Sequence, residues 1–138
     1  MPEINKDNEQ LKLISIFHYI VGGVTALFSL IPIAHVIIGI IFIVSPETMT
    51  NKSGEAPPAW FGWIFAGMGT AAILFGLTMA ICLICSGRFI AKRKRYMFCL
   101  VVAGFSCLFF PFGTALGVFT IIVLTRPSVK EIFGVKLS

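Results

Sequence analysis

The chain has 138 residues, of which 57% are hydrophobic and 12% charged, with a formal net charge of +5 and a mean hydropathy of +0.96. Soluble domains carry about 25% charged residues, so this composition excludes a water-soluble globular fold and points to an integral membrane protein. Three apolar runs, residues 13–44, 60–89 and 97–124, each exceed the roughly 20 residues that cross a bilayer as a helix. Backbone amides in lipid must pair within their own segment, so these runs are read as helices.

The N-terminal "MPEINKDNEQLK" is polar, with an acidic balance and no basic n-region. The apolar run behind it is too long for a signal-peptide core, so the segment is read as retained. That first run, a span over about residues 13–44, is interrupted at Pro32 in "LFSLIPIAHVIIG". No glycine follows this proline and no polar turn residue flanks it, which favours a kinked, tilted single span leaving a cytoplasmic N-terminus. A hairpin at Pro32 is the alternative; it would put the N-terminus outside and raise the count to five spans.

Residues 45–59 hold Glu47 and Glu55 against Lys52 and end in a proline pair beside Trp60 and Trp63, the signature of an outer loop with an aromatic belt. The triplet Asn51-Lys52-Ser53 matches a glycosylation sequon, a pattern too common to carry weight. In the second span, residues 60–87, small side chains recur every four positions as Gly62-Ala66-Thr70 and Ala72-Gly76-Ala80. That spacing lets membrane helices approach closely. The loop over 88–95 carries Arg88, Lys92, Arg93, Lys94 and Arg95 with no acid, and the positive-inside rule makes it cytoplasmic.

The tail after Leu124 holds Arg126, Lys130 and Lys136 against Glu131 and also prefers the cytoplasm. If both cationic segments are inside, the run between them must cross the membrane twice. Phe110-Pro111-Phe112-Gly113 supplies the turn: proline removes a donor and glycine accepts reversal geometry. We therefore place spans at about residues 96–110 and 112–126; one long helix kinked at Pro111, giving three spans, is the alternative. Gly113 and Gly117 form a G-x-x-x-G after the turn. A faint repeat lays "HYIVGGVTALFSLIP" over "RYMFCLVVAGFSCLFFP", which would give both prolines one conformation, but the charge pattern argues against it. The final "SVKEIFGVKL" is read either as a short interfacial helix with Lys130 and Lys136 among the headgroups or as a frayed end.

Chemistry is sparse. The deep part of each span lacks Asp, Glu, Lys and Arg, which argues against an ion-coupled transporter. His18 and His35 lie on one predicted helix about 25 Å apart by helical rise, so a bis-histidine haem would need a second chain. Cys82, Cys85 and Cys99 sit at similar depth, but Cys107 is about two helical turns deeper, which argues against a four-thiolate metal site. Serines and threonines lack a neighbouring His-carboxylate pair. We expect no enzyme, metal or cofactor. The "KRKR" run lies in a short loop against the bilayer, where anionic lipid headgroups explain it better than nucleic acid.

The ending "PFGTALGVFTIIVLTRPSVKEIF" resembles that of small bacterial four-helix membrane proteins of no assigned activity, which close with P-x-G-T-x-L-G, an apolar helix and R-P-x-V-K. The likeness rests on Pro111, Gly113, Thr114, Leu116, Gly117, Arg126, Pro127, Val129 and Lys130, with "KRKRY" similar too, and covers the last third of the chain. It implies a compact bundle in a bacterial inner membrane.

The sequence thus predicts an all-α, four-span bundle in one membrane domain, with both termini cytoplasmic. Its expected helix-packing residues are Gly62, Ala66, Ala72, Gly76, Ala80, Gly113 and Gly117. Its expected contacts with anionic lipid are Arg88, Lys92, Arg93, Lys94, Arg95, Arg126 and Lys130. The favoured role is a non-catalytic accessory or scaffold subunit of a larger complex, with a protein partner or a homo-oligomer. The alternatives are a small oligomeric channel or carrier for a neutral or apolar solute, and a haem-bearing dimer using His18 or His35.

Overall fold

The computed structural model describes residues 2–50, 54–109 and 111–135. Phe110, Lys136 and the sequon at 51–53 lie outside them. The chain is helical, with no strand among the described residues: α1 (Pro2–Phe28), α2 (Ile33–Val44), a single 3-10 turn at Pro46–Met49, α3 (Ala59–Ala91), α4 (Tyr96–Ser106), α5 (Phe112–Leu124) and α6 (Pro127–Ile132). Among the described residues, two segments are long and apolar enough to cross a membrane, Asn5–Val44 and Ala59–Ala91. At 1.5 Å per residue the 33-residue α3 is about 50 Å long, more than the about 30 Å of hydrocarbon it would cross, so it would tilt or protrude. α4 and α5, with 11 and 13 residues, are shorter than a crossing.

Contacts divide the chain into two compact units, Thr25–Thr78 and the combination of Met1–Val24 with Met79–Ser138. The unit Thr25–Thr78 is a helical hairpin. Gly76 lies against Ser29, Gly69 against Val36, Ala66 against Gly39 and Gly62 against Ile43. Partner numbers fall as residue numbers rise through Pro32, so the chain passes this proline without reversing. Pro32 has no N–H to give, and Ile33 and Ala34 donate instead to the carbonyls of Leu30 and Ile31 in tight three-residue bonds. The break is a kink, and the five-span alternative, which needs a reversal here, does not apply. Phe42 meets Phe61 and Phe65 edge-on, and His35 stacks on Phe65 at 6.1 Å.

The second unit packs its parts of α1 and α3 with α4, α5 and α6. α4 and α5 form a tight antiparallel hairpin: Gly117 meets Ala103 and Cys107, Gly113 meets Ser106, and the Tyr96 hydroxyl donates to the Leu124 carbonyl at 3.0 Å across the base. The chain therefore reverses between the end of α4 at Ser106 and the start of α5 at Phe112, against the kinked-helix alternative. α4 ends at Ser106, earlier than the predicted 110, because the turn begins at Cys107. Leu11, Ile14, Ile90, Cys99, Val123, Leu124 and Val129 form the core at the hairpin base. Val129 is fully enclosed, so α6 packs against the protein.

Candidate functional site

Three polar segments distant in sequence converge at one end of this second unit. Asp7, almost fully buried, accepts from Arg126 Nη1 at 3.3 Å through Oδ1 and from the Ser128 hydroxyl at 2.5 Å through Oδ2. Arg126 Nη1 also donates to Gln10 Oε1 at 2.8 Å. Arg93 Nη2 donates to Asn8 Oδ1 at 2.6 Å. The N-terminal segment, the 88–95 loop and the start of the tail therefore lie together. Lys6, Asp7, Gln10, Arg126, Pro127 and Ser128 line a cleft of about 380 Å³ there. Buried carboxylates are stable only when paired and hydrogen-bonded, and Arg-Pro-Ser supplies both partners.

This placement divides the predicted lipid-contact residues. Arg88, Lys92, Arg93, Lys94 and Arg95 are exposed. Arg126 is partly committed to Asp7, with its side chain 42% exposed, and Lys130 is half-buried. The cationic loop is built by a helix stop. Arg93 N–H donates to Ile90 O and Lys94 N–H to Phe89 O, the paired bonds of a Schellman ending. That motif needs a left-handed residue, and Arg93 fills the place with φ 53°. Arg95 is also left-handed, with φ 53°, and its guanidinium lies 5.4 Å above the Phe89 ring.

The small residues are largely used within the chain. A Cβ on Gly39 would lie 2.5 Å from the Ala66 nitrogen, and one on Gly62 would lie 2.8 Å from the Gly39 oxygen. Gly76 seats Ser29, and the Ala80 carbonyl faces Gly22. Gly113 and Gly117 close the α4–α5 seam. Ala72 differs: it is exposed. Sequence reasoning missed Gly39 and Gly69, both buried against the facing helix, because neither sits in a four-residue series of its own. It also missed Asp7, Gln10 and Ser128, whose partners are more than 110 residues away.

The second unit also buries polar side chains. The Ser15 hydroxyl donates to Gly87 O at 2.8 Å. His18 is fully enclosed, with Nδ1 2.9 Å from Ile14 O, while its Nε2 and the Ser86 hydroxyl find no N or O partner among the described residues. Cys99 Sγ sits 3.8 Å from Ser86 O. Enclosure of His18 leaves it no open face for a haem, whereas His35 is exposed on the Phe65 stack. Cys82, Cys85 and Cys107 are half-buried free thiols.

Comparison of the chain with protein-family models, curated proteins and solved structures finds no match.

Proposed function

We propose that this chain is a non-catalytic accessory or scaffold subunit of a larger complex in a bacterial inner membrane. One observation carries the reading. On α3, the side away from the Gly62, Ala66, Gly69 and Gly76 seam exposes Trp60, Ile64, Gly67, Ala71 and Leu74, positions that succeed one another at helical spacing. Gly67 and Ala71 form a notch between large apolar side chains, the shape against which another membrane helix packs through van der Waals contact. In this reading the two long segments cross the bilayer, and the N-terminus, the 88–95 loop and the tail are cytoplasmic. α4 and α5 are the third and fourth helices of the bundle. The convergence of Asp7, Arg93 and Arg126 at one end supports a common side for these segments, and the exposed cations of the loop support the cytoplasmic one.

The test is mild extraction of the tagged chain from its host, native sizing, and identification of what co-purifies. A partner at fixed stoichiometry is expected. Replacing Gly67 and Ala71 together by leucine should release that partner while leaving the hairpin melting temperature unchanged. A homo-oligomer without a partner would overturn this role in favour of the channel or carrier. That rival predicts solute flux from liposomes holding the pure protein, where the accessory role predicts none.

A further inference from the structure

We infer that the α4–α5 hairpin is a re-entrant membrane element: it enters from the cytoplasmic side, turns near the bilayer midplane and is covered by the acyl chains of that one leaflet. The inference rests on the membrane reading above. Arm length is the first observation. With 11 and 13 residues, α4 and α5 rise about 17 and 20 Å, close to half of a hydrocarbon core of about 30 Å and well short of the whole.

The chemistry of the tip is the second. A hairpin that crossed the membrane would put its turn among the outer headgroups, as residues 45–58 put Glu47 and Glu55 in their loop. The turn here reads "CLFFPF" over 107–112. Leu108 and Phe112 are the two most exposed large apolar side chains among the described residues, at 78% and 75%. Met97, Val101, Phe105, Val118, Phe119 and Ile122 continue this apolar surface down both arms.

Backbone pairing is the third. Irregular backbone at membrane depth must satisfy its own polar groups. The N–H groups of Cys107, Leu108 and Phe109 donate back into α4, and those of Gly113 and Thr114 donate to Phe109 O. The Thr114 hydroxyl closes on Cys107 O at 2.7 Å, and Pro111 has no N–H to satisfy. The base carries the opposite chemistry: exposed Arg93, Lys94 and Arg95 precede α4, and Arg126 comes after α5. Cations at the base and apolar side chains at the tip match a single leaflet from headgroup to tail end.

Site-directed labelling in a background with the four native cysteines replaced by alanine tests this. Leu108→Cys, Glu55→Cys and Lys94→Cys are each exposed to a membrane-impermeant maleimide in intact cells and in inverted vesicles. Alkaline carbonate washing and opposite-side labelling of Glu55→Cys and Lys94→Cys check the membrane reading by themselves. With those satisfied, Leu108→Cys should be protected from both sides. A nitroxide on it should collide freely with oxygen and at least tenfold less with a water-soluble nickel chelate. Labelling from the Glu55 side would show a full crossing, and labelling from the Lys94 side a hairpin in water. Protection with poor oxygen access would show a protein partner over the tip. Any of these three results overturns the inference.

Discussion

Asp7 and Arg126 stand 119 positions apart in the chain and 3.3 Å apart in the fold. Ser128 completes the clamp from the first turn of α6, so one buried carboxylate holds the tail on the N-terminal helix. Pairs of exposed charges are worth about 0–1 kcal/mol, and breaking a fully buried pair costs about 3–5 kcal/mol. With Asp7 enclosed and Arg126 partly exposed, Arg126→Ala should fall between, at about 2 kcal/mol of stability. Thermal melting in detergent gives the loss, and protease cleavage after residue 126 should accelerate. Ser128→Ala should cost less, about 1 kcal/mol, as the loss of one hydrogen bond.

Arg93 offers a prediction of opposite sign. A left-handed backbone costs a non-glycine residue roughly 1–2 kcal/mol, and the end of α6 shows the ordinary solution. There Gly134, with φ 70°, takes the same place, with Gly134 N–H bonded to Glu131 O and Val135 N–H to Lys130 O. Arg93→Gly should therefore stabilise the helix ending by up to about 1 kcal/mol, reduced by loss of the Asn8 contact. It should also weaken binding to vesicles containing anionic lipid relative to neutral ones. A gain in melting temperature with weaker lipid binding would show charge retained at the expense of backbone strain. A loss of stability would mean that the Asn8 bond outweighs the strain.

The helical class and the reversal near Pro111 were legible because they depend on local chemistry: long apolar runs, a proline-glycine pair and the sign of charge in two loops. Pro32 and Pro111 look alike in sequence, and the faint repeat even aligns them, yet one kinks and the other turns. The residues after each proline make the difference. Isoleucine and alanine continue the helix after Pro32, whereas Gly113 and Thr114 after Pro111 allow close packing and cap the Cys107 carbonyl. Less legible was which face of each helix is consumed inside the chain. Four-residue spacing marked Ala72 and Gly76 alike, but only the facing Ser29 makes Gly76 a contact. Nothing local marks Asp7 as the partner of Arg126, since a polar N-terminal segment reads the same whether hydrated or clamped.

Close approach of backbones gives a paired glycine test. A Cβ on Gly39 would press on backbone atoms of Ala66 and Gly62, which cannot rotate away, so Gly39→Ala should separate the hairpin at a cost of about 1–3 kcal/mol. Gly23 lies in α1 with open space around it, and Gly23→Ala should be neutral or stabilising by up to about 1 kcal/mol through helix propensity. Both are read by thermal unfolding in the same detergent. Equal effects at the two positions would contradict the packing described for Gly39.

Ser15 and Ser86 lie on facing helices and are both buried, but their hydroxyls differ in what they bond. Ser15 reaches the Gly87 carbonyl at 2.8 Å, whereas the Ser86 hydroxyl finds no N or O partner among the described residues. A buried polar group left unpaired carries a desolvation cost of about 1–3 kcal/mol, while a made hydrogen bond contributes about 1 kcal/mol net. Ser15→Ala should therefore destabilise by about 1 kcal/mol and leave the Gly87 carbonyl without that donor. Ser86→Ala removes an orphaned group of nearly the same volume and should leave the melting temperature unchanged or raise it. The unpaired Nε2 of His18 gives the contrasting outcome its meaning. If Ser86→Ala lowers stability as much as Ser15→Ala does, an ordered water joins Ser86 to a second buried group, with His18 the partner to test by His18→Phe. A double substitution would then show coupling, whereas independent sites would add.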